Sequence, residues 1–202
     1  MSFGKLKTAL KGIINRKDLT DELAGDFINR AVTEMERILR VGSMEALLQA
    51  TFDGTSNTIT IPSAYMELID MFTAEGTLEQ VDKDRFFREC PEGRPRVFIK
   101  TGASWLLKPT PAAGVTVYVH HYAETPPLQV DTDESVWTRS GFNAALYAAA
   151  ALAADYFQME DQYVQRFQSK SDGYVVAIQN QDLGEKMSGP TRIGRPEYRG
   201  DY

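Results

Sequence analysis

The alternation of apolar and polar positions divides the chain into a helical start, a strand-rich middle and a helical end. Leu6, Leu10, Ile13 and Ile14 repeat at helical spacing. After a polar break at Asn15–Asp18, the stripe Leu23, Phe27, Ala31, Met35 and Ile38, widened by Ile28 and Leu39, predicts a longer amphipathic helix capped by Asp18 or Thr20. Gly42 interrupts that stripe, and Met44, Leu47 and Leu48 predict one or two further helical turns.

The middle changes period. Asp53-Gly54 signals a turn, and Thr58-Ile59-Thr60-Ile61 alternates as a strand until Pro62 stops it. Met66 to Phe72 reads as a second strand. Thr77-Leu78-Glu79-Gln80 has the capping-box pattern and predicts a short helix presenting Val81 and Phe86 or Phe87. Val97-Phe98-Ile99 and Trp105-Leu106-Leu107 flank a Thr101-Gly102 turn as a hairpin. Val115, Val117 and Val119 alternate with Thr116, Tyr118 and His120, a half-buried strand.

Helix returns afterwards. Eight of the eleven residues from Ala144 to Ala154 are alanine, which lets neighbouring helices approach closely. Tyr163, Phe167, Tyr174 and Ile178 form one more helical stripe. From Gly184 to Tyr202 the chain holds four glycines and two prolines, with only Met187, Ile193, Tyr198 and Tyr202 to bury. Such a segment gains too little apolar contact to offset its ordering entropy, so it is either loose or held by another molecule. The pattern gives an α+β fold, mainly α: a helical bundle with a small antiparallel sheet inserted between its N- and C-terminal helices, plus an extended arm. Helices are expected over 3–50, the β region over 53–125, helices again over 140–181, and the arm over 182–202.

Composition narrows the function without naming it. The chain has 202 residues, 43% apolar and 25% charged, as an ordinary globular domain does. A net charge of −6 argues against sequence-independent DNA binding, though an acidic wall suits a channel in which DNA must slide. The single cysteine, Cys90, rules out an internal disulfide and a multi-cysteine zinc site. The start of the chain has no signal-like apolar core, and the uncharged run between Arg139 and Asp155 is short for a bilayer. A soluble, unprocessed chain with no membrane partner is expected.

Catalytic and metal chemistry find little footing. His120 and His121 are neighbours on a strand and so point to opposite faces. Asp131-Thr132-Asp133-Glu134 starts like a calcium loop, but Val136 stands where that loop needs glycine and Phe142 where it needs glutamate. A capping loop fits it better, and Cys90 before Pro91 fits a small apolar residue better than a nucleophile. No glycine-rich phosphate cradle occurs. No catalytic, cofactor or metal residue is assigned, although scattered carboxylates leave open a small hydrolase with an unrecognised acid pair. The arm's cations are balanced by nearby acids, and guanidiniums beside tyrosines are what protein interfaces favour. Met187, Arg192, Ile193, Arg195, Tyr198, Arg199 and Tyr202 are its candidate contact residues for a partner protein.

The order of these motifs resembles the bacteriophage head-to-tail adaptor (connector) proteins. The resemblance spans roughly residues 18–180. It runs through Ile61-Pro62-Ser63-Ala64-Tyr65-Met66-Glu67-Leu68-Ile69, then Leu78-Glu79-Gln80-Val81 with Pro91 after it. Val117-Tyr118-Val119-His120-His121-Tyr122, Pro126-Pro127-Leu128, Trp137 and the helix Ala144–Ala150 follow, with Tyr163 and Phe167 in the closing helix. The resemblance implies a structural virion protein at the neck, made in the host cytoplasm, forming a dodecameric ring below the portal protein and above tail or nozzle proteins. Genomic DNA would pass through the lumen without sequence-specific binding, and the C-terminal arm would dock on the portal or a neighbouring subunit. A head-completion or tail-tube protein of the same particle remains the alternative. The family carries no catalytic residues or cofactors.

Overall fold

Alanine explains how the helical layer closes. The structure, a computed structural model, describes residues 1–89 and 93–188. Helices α1 (Phe3–Ile14), α2 (Asp21–Ile38) and α5 (Asp161–Met187) all pack on α4 (Phe142–Tyr156), whose Ala145, Ala149, Ala150, Ala153 and Ala154 are wholly enclosed. Side chains this small let three helices crowd one axis. Phe3, Leu6, Leu10, Phe27, Ile28 and Met35 fill the space around it. Thr20 caps α2 by accepting the Leu23 N–H, as its place before Asp21-Glu22 predicts.

The middle of the chain forms two facing four-stranded sheets rather than one small sheet. The strands are β1 (Glu45–Thr51), β2 (Thr58–Thr60), β3 (Tyr65–Thr73), β4 (Gly76–Thr77), β5 (Glu79–Gln80), β6 (Val97–Thr101), β7 (Ser104–Lys108) and β8 (Thr116–Ala123). Their orders are β1-β8-β3-β4 and β2-β7-β6-β5, antiparallel except for the parallel pair β5–β6. Val117 and Val119 from the first sheet and Phe98, Trp105 and Leu107 from the second meet in the core between them. Helix α3 (Lys83–Arg88) covers the outer face of the second sheet, where Phe86 packs with Val97 and Ile99.

Three expectations fail. Met44, Leu47 and Leu48 imitate a helical spacing, but Gly42–Met44 is a single 3-10 turn and β1 follows. Pairing with β8 decides this: Leu47 lies opposite His120 on the open face, while Leu48 and Ala50 pack towards the inter-sheet core. The capping-box reading at Thr77 also fails. Leu78 N–H donates to Met71 and Val81 N–H to Phe98, so these donors serve the sheets, and α3 starts later with Asp82 accepting the Arg85 N–H. Finally, α5 runs on to Met187, past the stop expected at 181 and through Gly184. The Asp182 carboxylate accepts the Gly42 N–H at 2.6 Å and Lys186 pairs with Asp182 and Glu45, which ties the last turns to the body and outweighs the roughly 1 kcal/mol that helical glycine costs.

Candidate assembly interface

Helix α5 is the longest helix among the described residues and the least embedded. Of its 27 residues only Phe167 and Ser171 are fully buried. Ser171 Oγ donates to the Ala144 carbonyl at 3.2 Å, and Tyr147 of α4 stacks on both Phe167 and Tyr174. The opposite face carries Val176, Leu183 and Met187, all more than half exposed. Their spacing of seven and then four residues keeps them on one stripe. A pattern search for one buried face misses this second stripe, because Asn180 and Gly184 interrupt it.

Beside α5 lies a groove of about 350 Å³. Its walls are Met35 and Ile38 of α2, Leu152 of α4, and Val175 and Val176 of α5, with Glu34 and Asp172 on its rim. The sequence placed Ile38 on the buried stripe, yet it is 77% exposed. It is the final residue of α2.

At the far end of α5 a charged cluster joins helix to sheet. Lys186 is pushed up to about 12 by its hydrogen bond to Asp182, with the Tyr122 oxygen adding to the effect. Burial acts to raise Asp182, but the Gly42 N–H and Lys186 together hold it below the usual carboxylate range. His120 sits next to this cluster with Nε2 3.0 Å from Glu45 and Nδ1 3.2 Å from Asp70. That Asp70 oxygen is buried and makes no hydrogen bond. His121 turns the other way, buried, with Nδ1 3.1 Å from the Val119 carbonyl.

The remaining candidates are separate from one another. Asp133 accepts the Gln129 and Val130 N–H groups and so sits below its usual range; Asp131 pairs with Lys7, and Glu134 with Arg139. Among the described residues no three metal-ligating side chains gather at one point, and no helix is long and apolar enough to cross a membrane. Of the predicted contact residues, Met187 ends α5 and is 80% exposed. Arg192, Ile193, Arg195, Tyr198, Arg199 and Tyr202 lie outside the described residues, as does Cys90.

Helix α5 thus leaves an apolar stripe exposed beside an apolar-walled groove. No curated protein matches the sequence. The family model described as SU10 adaptor protein matches residues 1–194, nearly the whole chain. The chain belongs to that family, which is one of phage head-to-tail adaptors, structural proteins of the virion.

Proposed function

We propose that this protein is the repeating subunit of a ring, expected to be a dodecamer, that joins the portal to the tail and lets DNA through its lumen. The observation that carries this reading is α5: a helix of 27 residues, about 40 Å long, with only two residues fully enclosed by its own chain. Isolated helices are marginal in water, so most helical stability comes from packing. A neighbouring subunit would supply the packing that the Val176, Leu183 and Met187 stripe lacks. The surplus of acids, −6 overall, would weaken adhesion of DNA phosphates to such a channel.

The segment beyond α5 would carry the portal contact. Fourteen residues, 189–202, extended at about 3.4 Å each reach roughly 48 Å from the helix end. Arg192, Arg195 and Arg199, with Ile193, Tyr198 and Tyr202, offer guanidiniums and rings to the portal or a neighbouring subunit, next to Met187. Each contact would be weak, and a ring of them durable, because later arms bind intramolecularly.

The test is deletion of residues 189–202, which leaves α5 whole. The shortened protein should keep the helical content and melting temperature of the full chain while losing binding to purified portal. Undiminished portal binding would overturn the arm's role. Electron microscopy of the intact particle should show a ring directly below the portal; density for this chain elsewhere would overturn the connector reading.

A further inference from the structure

We propose that His120 is a proton-operated tie across the first sheet: its imidazolium fastens the edge strand β1 to β3, and the neutral ring loosens them. In that sheet β8 lies between the two, and β1 pairs with β8 alone. Leu47 of β1 and Asp70 of β3 stand opposite His120 in register. The ring meets a carboxylate at each end, with Nε2 3.0 Å from Glu45 and Nδ1 3.2 Å from Asp70. A neutral imidazole has one N–H and one bare lone pair. Whichever nitrogen holds the proton, the other turns its lone pair on a carboxylate. Only the imidazolium is attracted on both sides. Because the two acids sit against different nitrogens, the three groups do not gather round a point that could hold an ion.

The surroundings are short of positive charge. Glu45 comes from β1, Asp70 from β3, and Asp182 and Lys186 from α5, while Tyr118 and Tyr122 flank His120 on its own strand. Arg40 pairs with Glu67 at 2.7 Å beside Tyr122, and those two charges cancel. Lys186 serves Asp182 at 2.9 Å and Glu45 at 3.6 Å. Three carboxylates against one ammonium leave −2 with the ring neutral and −1 with it charged. The Asp70 oxygen that faces Nδ1 is shut off from solvent and accepts no hydrogen bond. A positive ring beside it offsets that burial, and a neutral one does not. The His120 and Glu45 side chains are only 30% and 26% exposed, which limits screening by salt. Carboxylates stay ionised through the range in which imidazole titrates, so the tie is made as the ring gains its proton and lost as pH rises.

The test uses the full-length chain labelled with nitrogen-15. The ring-nitrogen shifts of His120 report its charge at each pH, and comparison with His120→Gln separates them from those of His121. Amide exchange over residues 46–49, corrected for the rise of intrinsic exchange with pH, reports the hold on β1. Protection there should fall roughly three- to fivefold, in step with loss of the ring's charge. His120→Gln, polar but uncharged, should show no such step, and Glu45→Gln and Asp70→Asn should each shrink it. Amides of α4 should show none in any variant. Protection that stays level while the ring titrates would overturn the tie. A step that survives in His120→Gln would belong to another group, such as His121, and the proposal falls. Should His120→Gln fail to fold, Asp70→Asn decides alone: an undiminished step there means that β3 is not tied through this ring.

Discussion

The indole nitrogen of Trp137 donates to the carboxylate of Glu36, and both side chains are almost wholly buried. The second carboxylate oxygen accepts the Thr125 N–H at 3.0 Å. One acid on α2 thus holds the chain leaving β8 and the turn entering α4. A capping box between Ser135 and Thr138 sets the turn that presents Trp137. Each carboxylate oxygen takes one of these donors, and the two bonds offset the cost of burying it.

Removing one donor should therefore cost more than an average hydrogen bond. Trp137→Phe keeps most of the ring volume but leaves the carboxylate one partner short, an expected loss of about 2–3 kcal/mol. Glu36→Ala strands both donors and opens a small void, an expected loss of about 3–4 kcal/mol. Urea unfolding followed by circular dichroism measures both. A change below about 0.5 kcal/mol in either would show that the contact contributes nothing net.

Two glycines should respond to alanine with opposite signs. A Cβ on Gly141 would lie 2.5 Å from the Trp137 ring, and that ring is fixed by its bond to Glu36. Gly141→Ala is expected to destabilise by about 2 kcal/mol or more. A Cβ on Gly173, inside α5, meets nothing within 4 Å. Gly173→Ala should stabilise by roughly 0.5–1 kcal/mol through helix propensity. Thermal melts of the two variants beside the parent decide both signs.

Much of this fold was legible because its signals are periodic. The stripe from Leu23 to Met35, the hairpin around Thr101-Gly102 and the alternation from Val115 to Val119 all became the expected elements. What failed was local pattern overruled by long-range pairing. Met44, Leu47 and Leu48 fit a helix until β8 arrives alongside, and Thr77 fits a cap until Met71 claims the Leu78 N–H. Strand partners far apart in sequence leave no trace in a short window. The exposed apolar surface was legible only in part. Met187 stood out as an apolar residue in a poor context, but Ile38 read as core and the choice between Phe86 and Phe87 stayed open, since sequence does not tell which apolar residue lacks a neighbour. The end of α5 was hidden for the same reason, because Gly42 is remote from Asp182 along the chain.

Acid should act on the loop after β1 at a definite pH. The Asp53 carboxylate accepts the Thr55 N–H and hydroxyl, both at 2.8 Å, and the Ser56 N–H at 3.1 Å. The Thr55 backbone bond is the largest cause of a pKa lowered to about 2 from an ordinary 3.8. With the folded value below the unfolded one, the ionised loop contributes its stability above about pH 4 and loses it as pH falls through about 2. Carbon-detected titration of Asp53 should give a midpoint near 2. Asp53→Asn should be the less stable protein at neutral pH and lose that disadvantage in acid. A midpoint near 3.8 would show that the loop bonds do not persist in solution.

The last turns of α5 should loosen in base and on loss of Asp182. Lys186 is raised to about 12 by Asp182, so its contribution is complete below its ordinary 10.5 and disappears as pH rises through about 12. Asp182 also accepts the Gly42 N–H, so Asp182→Ala cuts that tie to the turn before β1 together with the pair to Lys186 inside the helix, and leaves only Lys186 with Glu45. Amide hydrogen exchange from Leu183 to Met187 should accelerate about tenfold in Asp182→Ala, corresponding to roughly 1.4 kcal/mol of lost local stability. The bulk of α4 should exchange as before, since its alanines are enclosed by other helices. In Lys186→Met, which retains the Asp182 bond to Gly42, the acceleration should be smaller. Equal exchange in parent and Asp182→Ala would mean that the helix end is held by its own backbone bonds, and that the direction in which residues 189–202 depart is not set by this cluster.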